Sequence, residues 1–325
     1  MEAGSDARAD GAVGSRTYRR SGPVGWLREP TLAGMARRKA LMGYLFLFPT
    51  MAGILLFTAG PIFASLGLSL FEWDAVSPAE FVGLDNFREL IDDKRVPTVF
   101  SNTIWFTVMA VSMEMVLALL LALAVEAKMR KGLRLFFRSA YFAPLLTSGA
   151  SISIVLAYMF HTDFGPINYY LGELGIAPVR WLNSQRWALF TVALAYVWRH
   201  LGFTFIVFTG GIRSIPVEIL DAADVDGARG WRRLWSVILP MLSPHILFAA
   251  VVNVIAALQI VDQPFVLTRG GPGDASRSVV MLIYEAAFAG LRIGYGSAIV
   301  LFLFAAILIV TALQFVISKR WVFYQ

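Results

Sequence analysis

Hydrophobic residues gather along this chain into six long runs, at about 42–70, 102–125, 139–160, 187–212, 245–267 and 295–318. A helix needs roughly 20 apolar residues to cross a ~30 Å hydrocarbon layer, so each run is long enough to span a membrane. The pattern predicts an all-α integral membrane protein with six transmembrane helices. The fourth run is interrupted by Arg199-His200, which makes it the least continuous of the six. One polar stretch stands out between the fourth and fifth runs, EILDAADVDGARGWRRLWSVILPMLSP at residues 218–244. Pro216 suits the first turn of a helix, where its missing N–H would have no partner anyway. Glu218, Asp221 and Asp224 then place negative charge near the positive end of that helix. Gly227 and Gly230 break it, Trp231 to Leu239 resume an amphipathic helix, and Pro240 and Pro244 are expected to end that one. A helical hairpin kept on the surface of a membrane protein, over residues 214–244, predicts a place where another molecule docks. An amphipathic helix lying on the bilayer is the plainer reading, but such helices are Lys/Arg-rich and here acids balance bases.

Composition agrees with the membrane reading. Of the 325 residues 58% are hydrophobic and 15% charged, against about 25% charged in a soluble domain. Mean hydropathy is +0.66. The net charge of +6 is unevenly placed. Arg8, Arg16, Arg19, Arg20, Arg28, Arg37, Arg38 and Lys39 precede the first run, and Lys128, Arg130, Lys131, Arg134 and Arg138 lie between the second and third. Lys319 and Arg320 follow the sixth. The opposite loops are poorer in bases: Arg88, Lys94 and Arg95 sit among many acids, and Arg180 lies further on. The positive-inside rule therefore places both termini and the 214–244 loop in the cytoplasm. Residues 1–36, rich in Gly, Ala, Ser and Arg without a hydrophobic period, are expected to be a disordered cytoplasmic tail, with residues 37–325 forming the transmembrane domain. The first run is too long for a secretory signal and is expected to be retained as a signal anchor. The basic start carries few interleaved aromatics, so no nucleic-acid partner is expected.

Catalytic constellations are missing. No Gly precedes a Lys, so no phosphate-cradling G-x-x-x-x-G-K-[ST] loop exists. His161, His200 and His245 fall in no metal-ligand spacing, and the chain has no cysteine, so neither metal nor cofactor is expected. Active transport by this chain would need an ATPase on another chain.

The polar loop carries Ile215-Pro216, Asp221-Ala222-Ala223, Asp226-Gly227-Ala228 and Ile238-Leu239-Pro240. In that order they resemble the "EAA" loop of the membrane subunits of bacterial ABC importers, closest to the maltose-permease-like sugar permeases. Asp221 stands where the family's triplet has Glu, one methylene shorter but with the acid kept. Phe81-Val82-Gly83-Leu84-Asp85-Asn86-Phe87 is similar to the family's F-x-G-L-x-N-F segment, and Trp198-Arg199 to its fourth-span W-[RK]. Leu267-Thr268-Arg269-Gly270-Gly271-Pro272, Tyr284 and Gly294-Tyr295-Gly296-Ser297-Ala298 resemble its L-T-x-G-G-P … G-Y-x-S-A end. The resemblance covers residues 41 to 325. It implies a type I importer permease in the bacterial inner membrane, working by alternating access. It also implies partners: a second homologous permease subunit, a dimer of ATP-binding subunits and an extracytoplasmic solute-binding protein. Glu218, Asp221, Ala222, Ala223, Asp226, Gly227 and Pro240 would then form the contact with the ATPase. A sugar or oligosaccharide is the implied solute, with glycerol-3-phosphate or another polyol as the rival.

Polar residues inside the runs are the remaining candidates. Glu114 lies near the middle of the second run, where a charge costs about 2.5–3.5 kcal/mol on the insertion scale. Arg199 lies in the fourth, and pairing of the two would relieve both costs, as packing more than as a ligand. At about 100° per residue, Asn253, Gln259 and Gln263 share one face of the fifth run with Ala256. Amides both donate and accept, which suits a polyhydroxylated solute, although helix–helix bonding uses the same groups. Thr147, Ser148 and Ser151 share a face of the third run and point to close packing. Two other classes stay open: a secondary transporter using Glu114 or Asp262, which the absence of a detectable repeat disfavours, and a membrane assembly protein.

Overall fold

Apolar backbone in hydrocarbon must satisfy its own N–H and C=O groups, which favours helices. The computed structural model of the protein describes residues 32–126 and 129–323, and it is built almost wholly of them. The chain divides into two units, one ending at Gly60 and one running from Pro61. In the first, α1 (Leu32–Ile54) passes into a π-helical turn, Leu55–Ala59. The expected tail thus falls outside the described residues as far as residue 31, and its last five residues belong to α1.

After α2 (Gly60–Leu68) comes a two-stranded antiparallel ribbon, β1 (Phe71–Glu72) against β2 (Glu80–Phe81). The short α3 (Asp85–Asp92) leads into α4 (Arg95–Glu126). Then follow α5 (Lys131–Phe142), α6 (Gly149–Met159), α7 (Pro166–Glu173) and α8 (Ala188–Arg213). The polar loop holds α9 (Val217–Val225) and α10 (Gly230–Arg233), and beyond it come α11 (Leu239–Leu258), α12 (Asp262–Leu267), α13 (Val279–Tyr284) and α14 (Ile293–Ser318). Among the described residues, five helical stretches are long and apolar enough to cross a membrane: Lys39–Leu68, Arg95–Glu126, Ala188–Arg213, Gly230–Leu267 and Ile293–Ser318. A sixth exists only if the bent pair Lys131–Leu146 and Gly149–Met159 is one span.

In the second unit α4 lies along α8. Ala110, Ala118, Ala122, Ala193 and Ala195 are buried between them, and such small side chains let helix backbones approach closely where lipid supplies no hydrophobic drive. Phe106 meets Tyr196 edge-on at 5.4 Å, and Phe205, Phe208 and Leu242 fill the space toward α11. A second core joins α3, α4, α13 and α14 through Leu90, Val99, Val279, Leu282 and Ile299.

Three expectations about continuity need correction. The third run is not a straight span: its halves meet at 102°. Pro144 supplies no N–H, the chain tightens into a 3₁₀ turn over Ala143–Leu146, and the Thr147 hydroxyl takes the Pro144 carbonyl at 2.6 Å. Thr147 and Ser148 are extended at the break, so they share no helical face with Ser151. Pro240 and Pro244, in turn, do not end a helix. A π turn, Leu234–Ile238, joins α10 to α11, with Pro240 in the first turn of α11 and Pro244 inside it. Pro244 leaves the Pro240 carbonyl without its helical donor, and Ser243 Oγ donates to that carbonyl at 2.6 Å. The fifth run, finally, breaks at its far end. Helix α11 stops at Leu258, Gln259 caps it, and Val261 (φ −139°, ψ −43°) turns the chain into α12.

Candidate functional site

The polar loop is a two-helix module. Pro216 is the N-cap of α9 rather than its first helical residue, and Glu218 lies in the first turn. At the other end Asp226 is the C-cap and Gly227 follows with φ +72°, the left-handed conformation that glycine adopts freely. The amide of Gly227 donates to the Asp224 carbonyl at 3.2 Å, and that of Ala228 to the Ala223 carbonyl at 2.8 Å. This pair of bonds is a Schellman motif, and its hydrophobic contact comes from Ala223 and Ala228, both buried. The D-G-A triplet therefore closes α9 and fixes its direction. Arg233 reaches back from α10 to Asp224 at 2.9 Å. Outward, α9 presents Glu218, Asp221, Ala222 and Asp226 together with Val217 and Val225, the last 88% exposed. Beyond Gly230, Trp231 and Trp235 pack edge-on at 5.5 Å and are also exposed. Ala223 is the one member of the triplet that faces inward, and Pro240 is half-buried in the helix behind. Helix α9 thus offers an acidic and apolar face, with Arg229 and Arg232 exposed beyond its C-cap.

Inside the spans, Glu114 and Arg199 do not pair. Glu114, fully buried on α4, accepts a hydrogen bond from the Thr204 hydroxyl on α8 at 2.6 Å. Thr204 Oγ1 in turn accepts from Asn253 Nδ2 on α11 at 2.7 Å. One hydroxyl, donor and acceptor at once, ties three helices. Arg199 instead contacts the neighbouring His200 ring at 3.2 Å, and His200 stacks on Tyr196 with ring centroids 3.9 Å apart. Opposite charge alone makes Arg199 the expected partner; the register of α8 against α4 sets Thr204 opposite Glu114 instead.

The amide stripe also dissolves, because a 100° step holds only while the helix continues. Asn253 is buried in the three-helix bond just described, Gln259 is exposed at the C-cap, and Gln263 is 2% exposed on α12 with no partner for its Nε2. Asp262, beside it, lies against Gly149 at the start of α6, so the two broken runs meet at their breaks.

On the other end of the second unit, the quoted motifs converge. Asn86 donates to the carbonyls of Ser69 and Phe71 at 2.9 Å each, and a side chain at Gly294 would collide with the Phe71 carbonyl. Tyr295 donates to Asp93 at 2.9 Å. Glu89 bonds Arg292 and holds its guanidinium above the usual arginine range. In the G-G-P loop, Arg95 and Arg277 both bind Asp274. Burial alone would raise the Asp274 pKa, but these two hydrogen-bonded cations outweigh it, and the carboxyl titrates below its ordinary value. A cavity of about 430 Å³ opens here between Trp73, Asp74, Glu80, Glu89 and Arg292.

Two residues escaped the sequence reading. Thr204 carried a faint signal, a hydroxyl five residues from Arg199 in the same run. Glu126 ends α4 and bonds both Arg138 and Arg213, at 2.7 and 2.9 Å; an acid at the border of a basic loop was its only mark.

A family described as binding-protein-dependent transport system inner membrane component matches residues 114–322. The sulfoquinovosyl glycerol transport system permease protein SmoG of Agrobacterium fabrum is 32% identical over 84% of this chain and 88% of its own. The multiple sugar-binding transport system permease protein MsmF of Streptococcus mutans is 32% identical over 88% of this chain and 99% of its own. The sn-glycerol-3-phosphate transport system permease protein UgpA of Agrobacterium fabrum is 31% identical over 87% and 97%. Among solved structures, a bacterial ABC transporter involved in the import of the acidic polysaccharide alginate has a chain of the same fold, with TM-score 0.77 and 22% identity over 88% of this chain and 98% of that one.

Proposed function

Since the chain belongs to the family of binding-protein-dependent transport inner membrane components, we propose that the solute it passes is a sugar or oligosaccharide, and that α9 is where an ATPase subunit drives it. It is a multi-pass permease subunit of an ATP-driven importer in the inner membrane. The finer parts of the reading concern this chain's own residues. Glu218, Asp221, Ala222, Asp226 and Val225 form the docking surface, while Ala223, Gly227 and Pro240 hold it in place. The chain supplies no phosphate-binding loop, so hydrolysis belongs to a separate ATP-binding dimer. A second permease and an external binding protein complete the assembly. Gln259 and Gln263, freed from a common stripe, remain path candidates as the two amides at the break before α12; Asn253 is assigned to packing. The sugar assignment draws support from relatives named for multiple sugars, trehalose and maltose, and arabinooligosaccharides. The relative named for glycerol-3-phosphate keeps that solute as the second reading.

The observation that carries the coupling role is the Schellman closure at Gly227, which fixes an exposed acidic helix at the end of α8. A β-branched residue at that φ is strained by about 1–3 kcal/mol. Gly227→Val is therefore expected to misdirect α9, and Asp221→Lys to invert the charge offered to the partner. Both variants are expected to insert normally, lose co-purifying ATPase and lose uptake of a labelled oligosaccharide. Wild-type ATPase retention and uptake in both would reduce the loop to a surface helix. Uptake of labelled glycerol-3-phosphate, but not oligosaccharide, by the unaltered complex would exchange the solute.

A further inference from the structure

The last residues of α4 and α8 meet the side of α5 where α8 leaves the spans for the polar loop. Glu126, the last residue of α4, is 11% exposed and is the hub. Its Oε1 accepts from Arg138 Nη2 on α5 at 2.7 Å, and its Oε2 accepts from Arg213 Nε, the last residue of α8, at 2.9 Å. Arg134, also on α5, donates from Nε to the Val125 carbonyl at 3.2 Å, so α5 additionally grips the last turn of α4. Arg213 lies three positions before Pro216, the N-cap of α9, with only Ser214 and Ile215 between them. Ser214 is held by its amide and hydroxyl to the last turn of α8, and Ile215 is buried. The link from α9 to Arg213 is therefore short and packed rather than slack.

From this geometry we propose that Glu126 is a positioning residue for coupling: it passes displacement of α9 to α4 and α5 through Arg213 and Arg138. The inference rests on the reading that α9 docks an ATPase. Without Glu126, the end of α8 would keep only apolar packing to the ends of α4 and α5, which resists separation but permits sliding; the other polar tie between α4 and α8, Thr204 to Glu114, lies roughly three turns away along α4. A carboxylate held by two guanidiniums resists sliding, because each bond is directional and charge-assisted. Exposed ion pairs contribute little, and Arg213 is 45% exposed, but the carboxylate is mostly buried and serves two partners at once, so its loss removes the counter-charge that two neighbouring guanidiniums share.

The test uses the complete importer, reconstituted with its ATPase, second permease and binding protein. Glu126→Gln keeps the shape and removes the charge. Its expected result is normal membrane level, normal ATPase retention and a fall of roughly tenfold in solute taken up per ATP hydrolysed. Arg213→Gln is expected to give the same loss, and the double variant no more than either single one. Arg213→Lys, which keeps the charge, is expected to recover part of the ratio. An unchanged ratio in Glu126→Gln, or losses that add in the double variant, would overturn the proposal. So would a drop in membrane level shared by Glu126→Gln and Arg213→Gln, which would make the cluster a folding staple. Failure of the underlying reading looks different: Gly227→Val and Asp221→Lys would then retain the ATPase, whatever Glu126→Gln does.

Discussion

At the scale of single residues, the Thr204 hydroxyl ties three helices of the spans together. It donates to Glu114 and accepts from Asn253, joining α8 to α4 and α11. Interhelical hydrogen bonds in membranes average about 0.6 kcal/mol, since the separated helices also find partners. Thr204→Val is worse than that average because it strips a buried carboxyl and a buried amide together, at about 1–3 kcal/mol for the groups left unsatisfied. The variant is expected to lower the unfolding temperature of the detergent-solubilised chain, and Thr204→Ser to restore it. Equal stability of the Val form would mean that Asn253 turns to Glu114 directly. This site also shows how far residue-level reading reached. That Glu114 needed a partner could be inferred from burying charge in hydrocarbon. Which residue served could not, because it depends on the rotation of α4 against α8, and hydropathy is blind to rotation. Gly227 was legible for the opposite reason: a left-handed C-cap is a local requirement, and the D-G-A sequence contains all of it.

At the scale of elements, helix α8 carries its packing code in its glycines. A side chain at Gly202 would meet the Tyr141 carbonyl and lie 2.8 Å from Phe142 Cα. One at Gly210 would meet nothing within 4 Å. Gly202→Ala is thus expected to force α8 away from the end of α5 and cost about 1–3 kcal/mol, as overpacking does. Gly210→Ala in the same helix is expected to be neutral or to stabilise the isolated chain by up to about 1 kcal/mol, the helix propensity difference. Paired thermal unfolding of the two variants checks this, and equal behaviour would show that α8 and α5 do not touch at Gly202. Five of the six expected spans were legible in place and order because length and apolarity suffice to mark a span. Their interruptions were not. Pro144 and Pro244 look alike in sequence, yet one accompanies a 102° break and the other an uninterrupted helix. At Pro244 the freed Pro240 carbonyl is taken by Ser243 Oγ and the helix runs on, whereas after Pro144 the chain leaves the helix through the extended Thr147 and Ser148.

At the scale of the whole molecule, what remains to be tested is which side each end faces. Lys and Arg crowd the segments before the first span, after the second and after the last, and the positive-inside rule puts all three in the cytoplasm. The proposed docking of an ATPase on α9 requires that loop to lie on the same side, where ATP is. The same proposal requires the ribbon of β1 and β2, with the acidic cavity beside it, to face outward. The native chain contains no cysteine, so one introduced thiol reports alone. Ala79 and Arg229 are both exposed, one in the ribbon and one between the two glycines of the loop. Ala79→Cys is expected to react with a membrane-impermeant maleimide in intact cells stripped of their outer membrane. Arg229→Cys is expected to react only after the inner membrane is opened. Labelling of Arg229→Cys in sealed cells would place α9 away from ATP, and neither the docking surface nor the Glu126 linkage could survive it, whatever the family resemblance.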